Sequence, residues 1–247
     1  MQQETWQEYK DAVLITGASQ RVGLYLARQF LAQARYPLIV TYRTWRPEIA
    51  DLQARGALAI PVDFNQPQAV KNLIETLQQQ VISLRALIHN ASIWVTDAQI
   101  AAQPDLYAQL FAVHVQAPYQ LNFALAPLLQ KTTQGVADII SLSDANCDLN
   151  RQEYIAYLSS KAALQHQMRV FASKLAPQIK VNDIAPGLLL FHAHDSAEFR
   201  AQRLAKQLLP LEPGAEVIWQ AVNFLMDNPY MTGVSVPVDG GVRFPKS

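Results

Sequence analysis

Short apolar runs alternate with segments of helical periodicity along almost the whole chain of 247 residues. Each run is too short for a buried helix and is bounded by glycine, proline or polar residues, which is typical of strands. The predicted strands are Ala12–Ile15, Leu38–Tyr42, Leu58–Val62, Leu84–His89, Ala137–Ser143, Lys180–Ala185 and Gly233–Val238. Because strands that alternate with helices pair in parallel, the pattern predicts an α/β fold, a doubly wound parallel sheet of about seven strands with helices on both faces.

The segments between these runs predict the helices. The main helical segments are Leu24–Leu31, Val70–Val81, Leu106–Leu129 and Tyr154–Leu175. The third contains Pro118 and Pro127, so we expect one kinked helix or two pieces. The stretch from Leu188 to Pro213 departs from the strand–helix rhythm and is interpreted as a lid over a substrate. We expect one domain, residues 1–247, with this lid at 188–213.

Composition limits the partners and the compartment. Lys plus Arg and Asp plus Glu both number 20, and the absence of a long basic run argues against a nucleic-acid surface. We therefore expect a small-molecule partner. Cys147 is the single cysteine, which excludes an internal disulfide and fits a reducing compartment. The polar start MQQETWQEYKD does not resemble a signal peptide, and no apolar run reaches about 18 residues, so we expect a cytoplasmic protein without a membrane partner.

The first strand–helix junction is the turn Thr16-Gly17-Ala18-Ser19-Gln20-Arg21-Val22-Gly23. A turn at this place directs backbone N–H groups and the positive end of a helix at a bound pyrophosphate. Gly17 permits the tight bend and Gly23 permits close helix packing. The junction therefore predicts a nucleotide site in a Rossmann-type sheet, and the alternative is a plain structural turn.

The end of the second strand distinguishes between the two nicotinamide cofactors. A carboxylate near this point, which binds the ribose, is typical of NAD sites. The chain has Arg43, Thr44 and Arg46 here, and its first acid is Glu48. A guanidinium suits a 2′-phosphate, which favours NADPH, although arginines could also coat a surface loop.

Other strand ends should meet at the same carboxyl edge of the sheet, where ligands bind in this architecture. Trp94 follows the fourth strand and could stack on a flat heterocycle, or plug the core or an interface. The candidate cofactor-binding residues, which share this edge or reach it from a helix, are Gly17, Gln20, Arg21, Val22, Tyr42, Arg43, Thr44, Asp63, Phe64, Asn90, Ala91, Ser92, Tyr157, Lys161, Pro186, Gly187 and Leu188.

Tyr157 and Lys161 lie one turn apart on a predicted helix, and Asp144 follows the fifth strand. A nearby ammonium favours a phenolate and should lower the pKa of Tyr157, which would make it a proton donor at neutral pH. Chance pairing on a helix is the alternative. His114 is interpreted as a core residue. His192, His194 and Asp195 lack a further ligand at a fitting spacing, so we predict no metal site.

Jointly, the motifs resemble the short-chain dehydrogenase/reductases in order and spacing, from Asp11 to Gly241. They are Thr16-Gly17 with Gly23, Asn90-Ala91, Tyr157-x-x-x-Lys161, Pro186-Gly187 and Asp239-Gly240-Gly241. Arg21 stands where most of the family has the middle glycine, and Asp144 stands where most have a serine. Both departures, and Asn90-Ala91-Ser92-x-Trp94, are similar to the pteridine reductases. The phrases TYRTWRP, LIHNAS, HVQAPY and IAPGLLLFHAHD resemble a bacterial pterin-reducing branch.

The resemblance implies NADPH-dependent reduction of a 7,8-dihydropterin, with dihydromonapterin, dihydrobiopterin and dihydrofolate as substrates to compare. It implies catalytic roles for Tyr157, Lys161 and Asp144, with Tyr157 and Asp144 acting in protonation and Lys161 holding the nicotinamide ribose. The substrate-binding residues it implies are Arg21, Ser92, Trp94, Asp144 and Tyr157. It also implies a homotetramer. His114 departs from the asparagine of the wider family, which leaves its role open.

Two other functions are consistent with the fold. A reductase of a carbonyl substrate, such as a 3-oxoacyl group, would keep the sheet and the tyrosine–lysine pair. A non-enzymatic NADPH-sensing or scaffold protein would keep the nucleotide site. Arg21, Asp144 and Trp94 disfavour the carbonyl reductase, and the intact Tyr157 and Lys161 disfavour the non-enzymatic protein, since binding alone does not need that pair.

Overall fold

A computed structural model describes residues 9–149 and 151–244. Part of the N-terminal segment interpreted above, residues 1–8, lies outside the described residues. The strands of the described chain are β1 (Ala12–Ile15), β2 (Leu38–Tyr42), β3 (Leu58–Pro61), β4 (Leu84–His89), β5 (Ala137–Leu142), β6 (Ile179–Pro186) and β7 (Ser235–Val238). They form one parallel sheet in the order β3-β2-β1-β4-β5-β6-β7. The predicted fold class is confirmed, and β1, β2 and β4 have the predicted bounds.

Helices cover both faces of the sheet. They are α1 (Arg21–Gln33), α2 (Pro47–Ala54), α3 (Pro67–Gln80), α4 (Asp97–Ala102), α5 (Asp105–Phe111), α6 (Ala117–Gln130), α7 (Ile155–Leu175), α8 (Ala197–Ala205) and α9 (Glu216–Asp227). Neither α8, inside the segment 188–213, nor α9 was predicted as a helix, although α9 buries an apolar face. The short helices α2 and α4 were not predicted either. Each is too short for a clear period of apolar residues, and α4 buries none of its side chains.

Side chains alternate in direction along each strand, so the hydrophobic core has two layers, one on each face of the sheet. Leu14 packs with α3, α6 and α7, whereas its neighbours Val13 and Ile15 pack with α1, α2 and α9 on the other face. Successive side chains of a strand point to opposite faces, so a strand covered on both faces must be apolar at every position. This explains why the predicted strands are continuous apolar runs.

The helical region from Asp105 to Gln130 is continuous, with a π-helical turn at Ala112–Gln116 between α5 and α6. The predicted interruption exists, but it precedes Pro118 instead of lying at it. Pro118 has no N–H to donate to the carbonyl four residues earlier, that of His114, so regular α-helical bonding cannot continue through this turn. Pro127 lies inside α6 without breaking it. The wide turn places His114 in the interior, with 1% of its surface exposed.

A buried charge cluster joins three neighbouring strands at the edge remote from the glycine turn. Arg85 and Lys180 both pair with Asp138, and Lys180 Nζ lies 3.2 Å from its Oδ1. The two cations also donate to backbone carbonyls at the end of α9, including those of Met226 and Leu225. Burial raises the pKa of Asp138, and the two cations oppose that rise. Asp138 therefore compensates two positive charges that have little access to water.

We predict that Asp138→Asn lowers the free energy of unfolding by about 3–5 kcal/mol, because it leaves Arg85 and Lys180 buried without a counter-charge. Urea denaturation measures this loss. Asp51→Asn is the control, since Asp51 pairs with Arg28 at the surface, 3.3 Å away, where a pair contributes only about 0–1 kcal/mol. Equal effects of the two substitutions would contradict the prediction.

Candidate active site

Hydrogen bonds join the glycine turn to the residues that follow β4. Asn90 Nδ2 donates to the carbonyls of Thr16 and Gly17 at 2.9 and 2.7 Å, and Thr16 Oγ1 accepts from the backbone N–H groups of Asn90 and Ala91. Gly17 has φ +71°, and a Cβ there would lie 2.8 Å from Ala91 Cα. A Cβ on Gly23 would lie 2.4 Å from Asn90 Nδ2. Both positions therefore require glycine.

A cleft of about 290 Å³ opens above this turn. At its base α1 begins without a side-chain cap, so its first N–H groups remain available to an anionic ligand. The predicted cofactor-binding residues that line the cleft are Gly17, Gln20, Arg21, Val22, Arg43, Thr44, Asp63, Phe64, Asn90, Ala91 and Ser92. Arg46 also lines it, so the end of β2 contributes two guanidinium groups and no carboxylate.

The remaining predicted cofactor residues lie outside the lining of this cleft. Tyr42 ends β2, and Pro186 ends β6. Gly187 follows β6, where a Cβ would lie 2.9 Å from Asp239 Cα, and Leu188 comes next in the chain. Tyr157 and Lys161 belong to α7. The carboxyl edge of the sheet thus gathers strand ends from β1 to β6, as the parallel order requires.

Tyr157, Asp144 and Lys161 meet beside β5. Tyr157 Oη donates to Asp144 Oδ2 at 3.4 Å, and both Tyr157 and Lys161 are buried. Asp144 is held in place by Asn146, whose backbone N–H and side-chain amide donate to Oδ1 at 2.7 and 2.6 Å. Lys161 Nζ donates to the Leu142 carbonyl at 2.8 Å and lies 5.9 Å from the centroid of the Tyr157 ring.

The expectation that Lys161 lowers the pKa of Tyr157 is wrong for this arrangement. Burial raises the pKa of Tyr157 well above its usual value, and the negative charge of Asp144 raises it further. The Lys161 ammonium is directed at the Leu142 carbonyl, whereas the carboxylate of Asp144 contacts the phenol directly. Tyr157 therefore keeps its proton at neutral pH and can act as a donor.

A second buried carboxylate supports Lys161. Asp183 accepts hydrogen bonds from the hydroxyls of Ser141, Ser143 and Ser235 at 2.5, 2.5 and 2.6 Å. Burial lowers the pKa of Lys161, while the charges of Asp144 and Asp183 oppose that fall. The sequence gives no local indication of this role, because the three serines come from β5, its end and β7.

Arg21 links the glycine turn to the segment 188–213. Its guanidinium donates to the Leu190 carbonyl at 3.0 Å and lies 3.2 Å from His192 Nδ1. Arg21 has φ +51°, in the left-handed region that favours glycine. This conformation explains why a glycine would fit at position 21.

Trp94 follows Ile93, which lines the cleft, and 58% of its surface is exposed. Its ring lies 5.2 Å from that of Tyr154, next to the start of α7. Sequence reasoning missed Asp97, whose carboxylate accepts from the N–H groups of Ile155 and Ala156 at 2.8 and 3.2 Å. Asp97 thereby caps α7 from another segment, a role that no spacing along the chain could reveal.

In the described part of the chain no group of three or more His, Cys, Asp or Glu side chains could hold a metal ion, and His192 and His194 stack on each other with 5.3 Å between centroids. Among the same residues, no helix combines the length and hydropathy needed to cross a bilayer.

Comparison with known proteins identifies relatives over almost the whole chain. The family model described as short chain dehydrogenase matches residues 11–200. Dihydromonapterin reductases from Escherichia coli (strain 536) and Citrobacter koseri are each 42% identical over 229 residues, which cover 93% of this chain and 95% of theirs.

Solved structures show the same fold. FolM alternative dihydrofolate reductase 1 from Brucella suis, in complex with NADP, has a TM-score of 0.85 at 24% identity, over 97% of this chain and 98% of that one. Acetoin dehydrogenase from Enterobacter cloacae has a TM-score of 0.82 at 25% identity, over 96% and 97%. Similar folds therefore occur in proteins named for different substrates, so the site must decide the function.

Proposed function

Because the chain belongs to the short-chain dehydrogenase family, we propose that it is an enzyme that reduces a 7,8-dihydropterin with NADPH. Dihydromonapterin is the expected substrate, in line with the 42% identity to reductases of that name. The observation that carries the proposal is the pairing of the Tyr157 hydroxyl with the Asp144 carboxylate, 3.4 Å apart at the carboxyl edge of the sheet. A carboxylate at that place suits an amino-pyrimidine ring, whose N–H groups need acceptors.

The residues of the cleft fit NADPH. Gly17 and Gly23 let the turn pack closely against Asn90 and Ala91, and the uncapped N–H groups at the start of α1 would receive a pyrophosphate. Arg43 lines the cleft and would offer a 2′-phosphate charge-assisted hydrogen bonds. Lys161 would hold the nicotinamide ribose from α7. NADPH bound in this cleft would supply the hydride that C6 of the pterin receives.

Protonation is the task of the side chains. Reduction of the C6=N5 imine requires one proton at N5 together with the hydride at C6. Tyr157 retains its proton at neutral pH and would donate it to N5, while Asp144 orients the phenol and accepts from the pterin ring. Solvent then returns a proton to Tyr157. Each turnover consumes one hydride and one proton, and yields the tetrahydropterin.

The substrate would lie between the two sides of the cleft mouth. Trp94 offers an exposed ring for stacking, Ser92 offers a hydroxyl and Arg21 offers a guanidinium close to Leu190. We propose the single domain 1–247 as the functional unit, with the segment 188–213 as its lid. The contacts of Arg21 to Leu190 and His192 support that role, because they join the segment to the glycine turn.

The remaining proposals concern compartment and partners. The single cysteine, the balanced charge and the use of NADPH favour a cytoplasmic enzyme that binds neither nucleic acid nor a membrane. Recovery of the protein in a membrane or periplasmic fraction of its cell would contradict this assignment.

The substrate is tested by following NADPH oxidation with dihydromonapterin, dihydrobiopterin, dihydrofolate and an acetoacetyl thioester in parallel. We expect turnover of at least one dihydropterin, with dihydromonapterin preferred. Turnover of the thioester alone would establish a carbonyl reductase. Binding of NADPH without turnover of any substrate would favour the non-enzymatic alternative.

We predict that Tyr157→Phe reduces kcat at least about 100-fold while NADPH still binds, because the substitution removes the general acid and leaves the ring in place. Stopped-flow turnover and fluorescence titration of NADPH measure the two effects. Tyr230→Phe is the matched control, since 98% of Tyr230 is exposed. Full activity of Tyr157→Phe would refute the mechanism.

For the cofactor, Arg43→Ala should weaken NADPH binding about 10-fold or more and leave NADH binding nearly unchanged, because only NADPH carries the 2′-phosphate. Titration of each cofactor by fluorescence measures both constants. Arg28→Ala is the control, because Arg28 pairs with Asp51 outside the cleft. Equal losses for both cofactors would refute the role of Arg43.

We also propose a homotetramer whose interface includes α6 and α7. Tyr119 and Phe123 of α6 are 49% and 41% exposed, and Phe123 packs edge to face against Phe171 of α7 at 4.9 Å between centroids. A second copy of the same surface would cover these rings. Sedimentation should show a tetramer that Phe123→Lys dissociates. A monomer at micromolar concentration would contradict this assignment.

A further inference from the structure

His114 occupies the π-helical turn between α5 and α6, in contact with the site from behind. Its Nδ1 lies 2.7 Å from Ser160 Oγ, and its Nε2 lies 2.9 Å from Ser92 Oγ and 3.3 Å from the backbone N of Ile93. The ring also meets that of Tyr157 edge to face, with 5.6 Å between centroids. Every polar atom of the imidazole thus has a protein partner close to the proposed proton donor.

These partners fix the tautomer of His114. The Ile93 N–H can only donate, so Nε2 must present a lone pair. Ser160 Oγ donates to the Tyr157 carbonyl at 2.6 Å, which leaves this oxygen free to accept from Nδ1–H. Burial lowers the pKa of His114 well below its usual value, and the charge of Lys161 lowers it further, so the ring stays neutral. His114 is therefore a neutral imidazole protonated at Nδ1.

The tautomer determines what Ser92 can offer to a ligand. The Ser92 hydroxyl has two acceptors within reach, the Ile93 carbonyl at 3.4 Å and the unprotonated His114 Nε2 at 2.9 Å, and it donates its single proton to the nearer one, His114. Ser92 Oγ also has the Tyr157 hydroxyl as a hydrogen-bond partner, so one of its two lone pairs remains for the cleft, which Ser92 lines. A hydroxyl that normally donates or accepts is thereby restricted to accepting.

We propose that His114 is a positioning residue that holds Ser92 as a hydrogen-bond acceptor and thereby selects substrates that present an N–H group to the cleft. The proposal rests on the function proposed above and names a determinant of its specificity. A dihydropterin carries several N–H donors on its ring, whereas the oxygen of a 3-oxoacyl carbonyl can only accept. A carbonyl oxygen directed at Ser92 would meet lone pairs, so the same arrangement disfavours that class of substrate.

A double-mutant cycle on kcat/KM for dihydromonapterin tests the dependence of His114 on Ser92. Ser92→Ala and His114→Phe should each reduce kcat/KM about 10-fold, as expected for one lost hydrogen bond in a site. The double variant should be no worse than Ser92→Ala alone, since His114 acts through Ser92. Losses that multiply would show that His114 has a separate, structural effect and would overturn the proposal.

One further variant distinguishes a lost hydrogen bond from misfolding. His114→Gln keeps an acceptor oxygen and should recover most of the activity that His114→Phe loses. Failure of this rescue, in a protein whose thermal unfolding matches the wild type, would also overturn the proposal. The kcat/KM ratio of dihydromonapterin to an acetoacetyl thioester should fall about 10-fold in Ser92→Ala, because the selective acceptor is gone. An unchanged ratio would exclude Ser92 as the selective group.

A readout independent of turnover is the ¹⁵N NMR spectrum of the histidine side chains. His114, assigned by its loss in His114→Gln, should show a protonated Nδ1 and a bare Nε2 throughout the range of roughly pH 6 to 8. A protonated Nε2 or an imidazolium in this range would refute the positioning role. If the wild type reduces no dihydropterin, the proposed function fails, whereas the tautomer is decided by the spectrum alone.

Discussion

The ends of β1 and β4 exchange hydrogen bonds in a space that admits no side chain at Gly17 or Gly23. Asn90 provides the amide that closes the glycine turn, and Thr16 provides the hydroxyl that receives the next two backbone N–H groups. This contact lies between β1 and the central strand β4, where the order of the strands in the sheet reverses direction along the chain. The position of the cleft, the start of α1 and the location of Ser92 all depend on it.

Buried charge is distributed unevenly between the two edges of the sheet. At the edge remote from the cleft, Asp138 lies between two cations and joins strands to the end of a helix. At the carboxyl edge, the charges of two carboxylates, Asp144 and Asp183, favour the protonated form of the Lys161 ammonium. The first arrangement offsets part of the positive charge of two buried cations and so favours folding, whereas the second leaves Asp144 with a phenol as its neighbour. Only the second can take part in proton transfer with a ligand.

The fold could be predicted from local sequence patterns, because strands buried on both faces are apolar at every position and end in recognisable turns. The cleft followed as well, since parallel strands bring their carboxyl ends together. Contacts between segments that are distant in the chain could not be predicted from the sequence. The cap that Asp97 places on α7 and the three serines around Asp183 depend on packing. The pKa of Tyr157 was predicted in the wrong direction, because helical spacing placed Lys161 near the ring but did not indicate that its ammonium bonds the Leu142 carbonyl.

Arg21 contributes less to the affinity of a ligand than its charge suggests. Its guanidinium already has partners on the 188–213 segment, the Leu190 carbonyl and the His192 ring. A ligand that recruits Arg21 exchanges those hydrogen bonds for new ones, so the free energy it gains is a difference between two bonded states. The left-handed backbone at this residue costs of order 1–3 kcal/mol whether or not a ligand is bound. The strain therefore cancels from the free energy of binding and lowers only the free energy of unfolding.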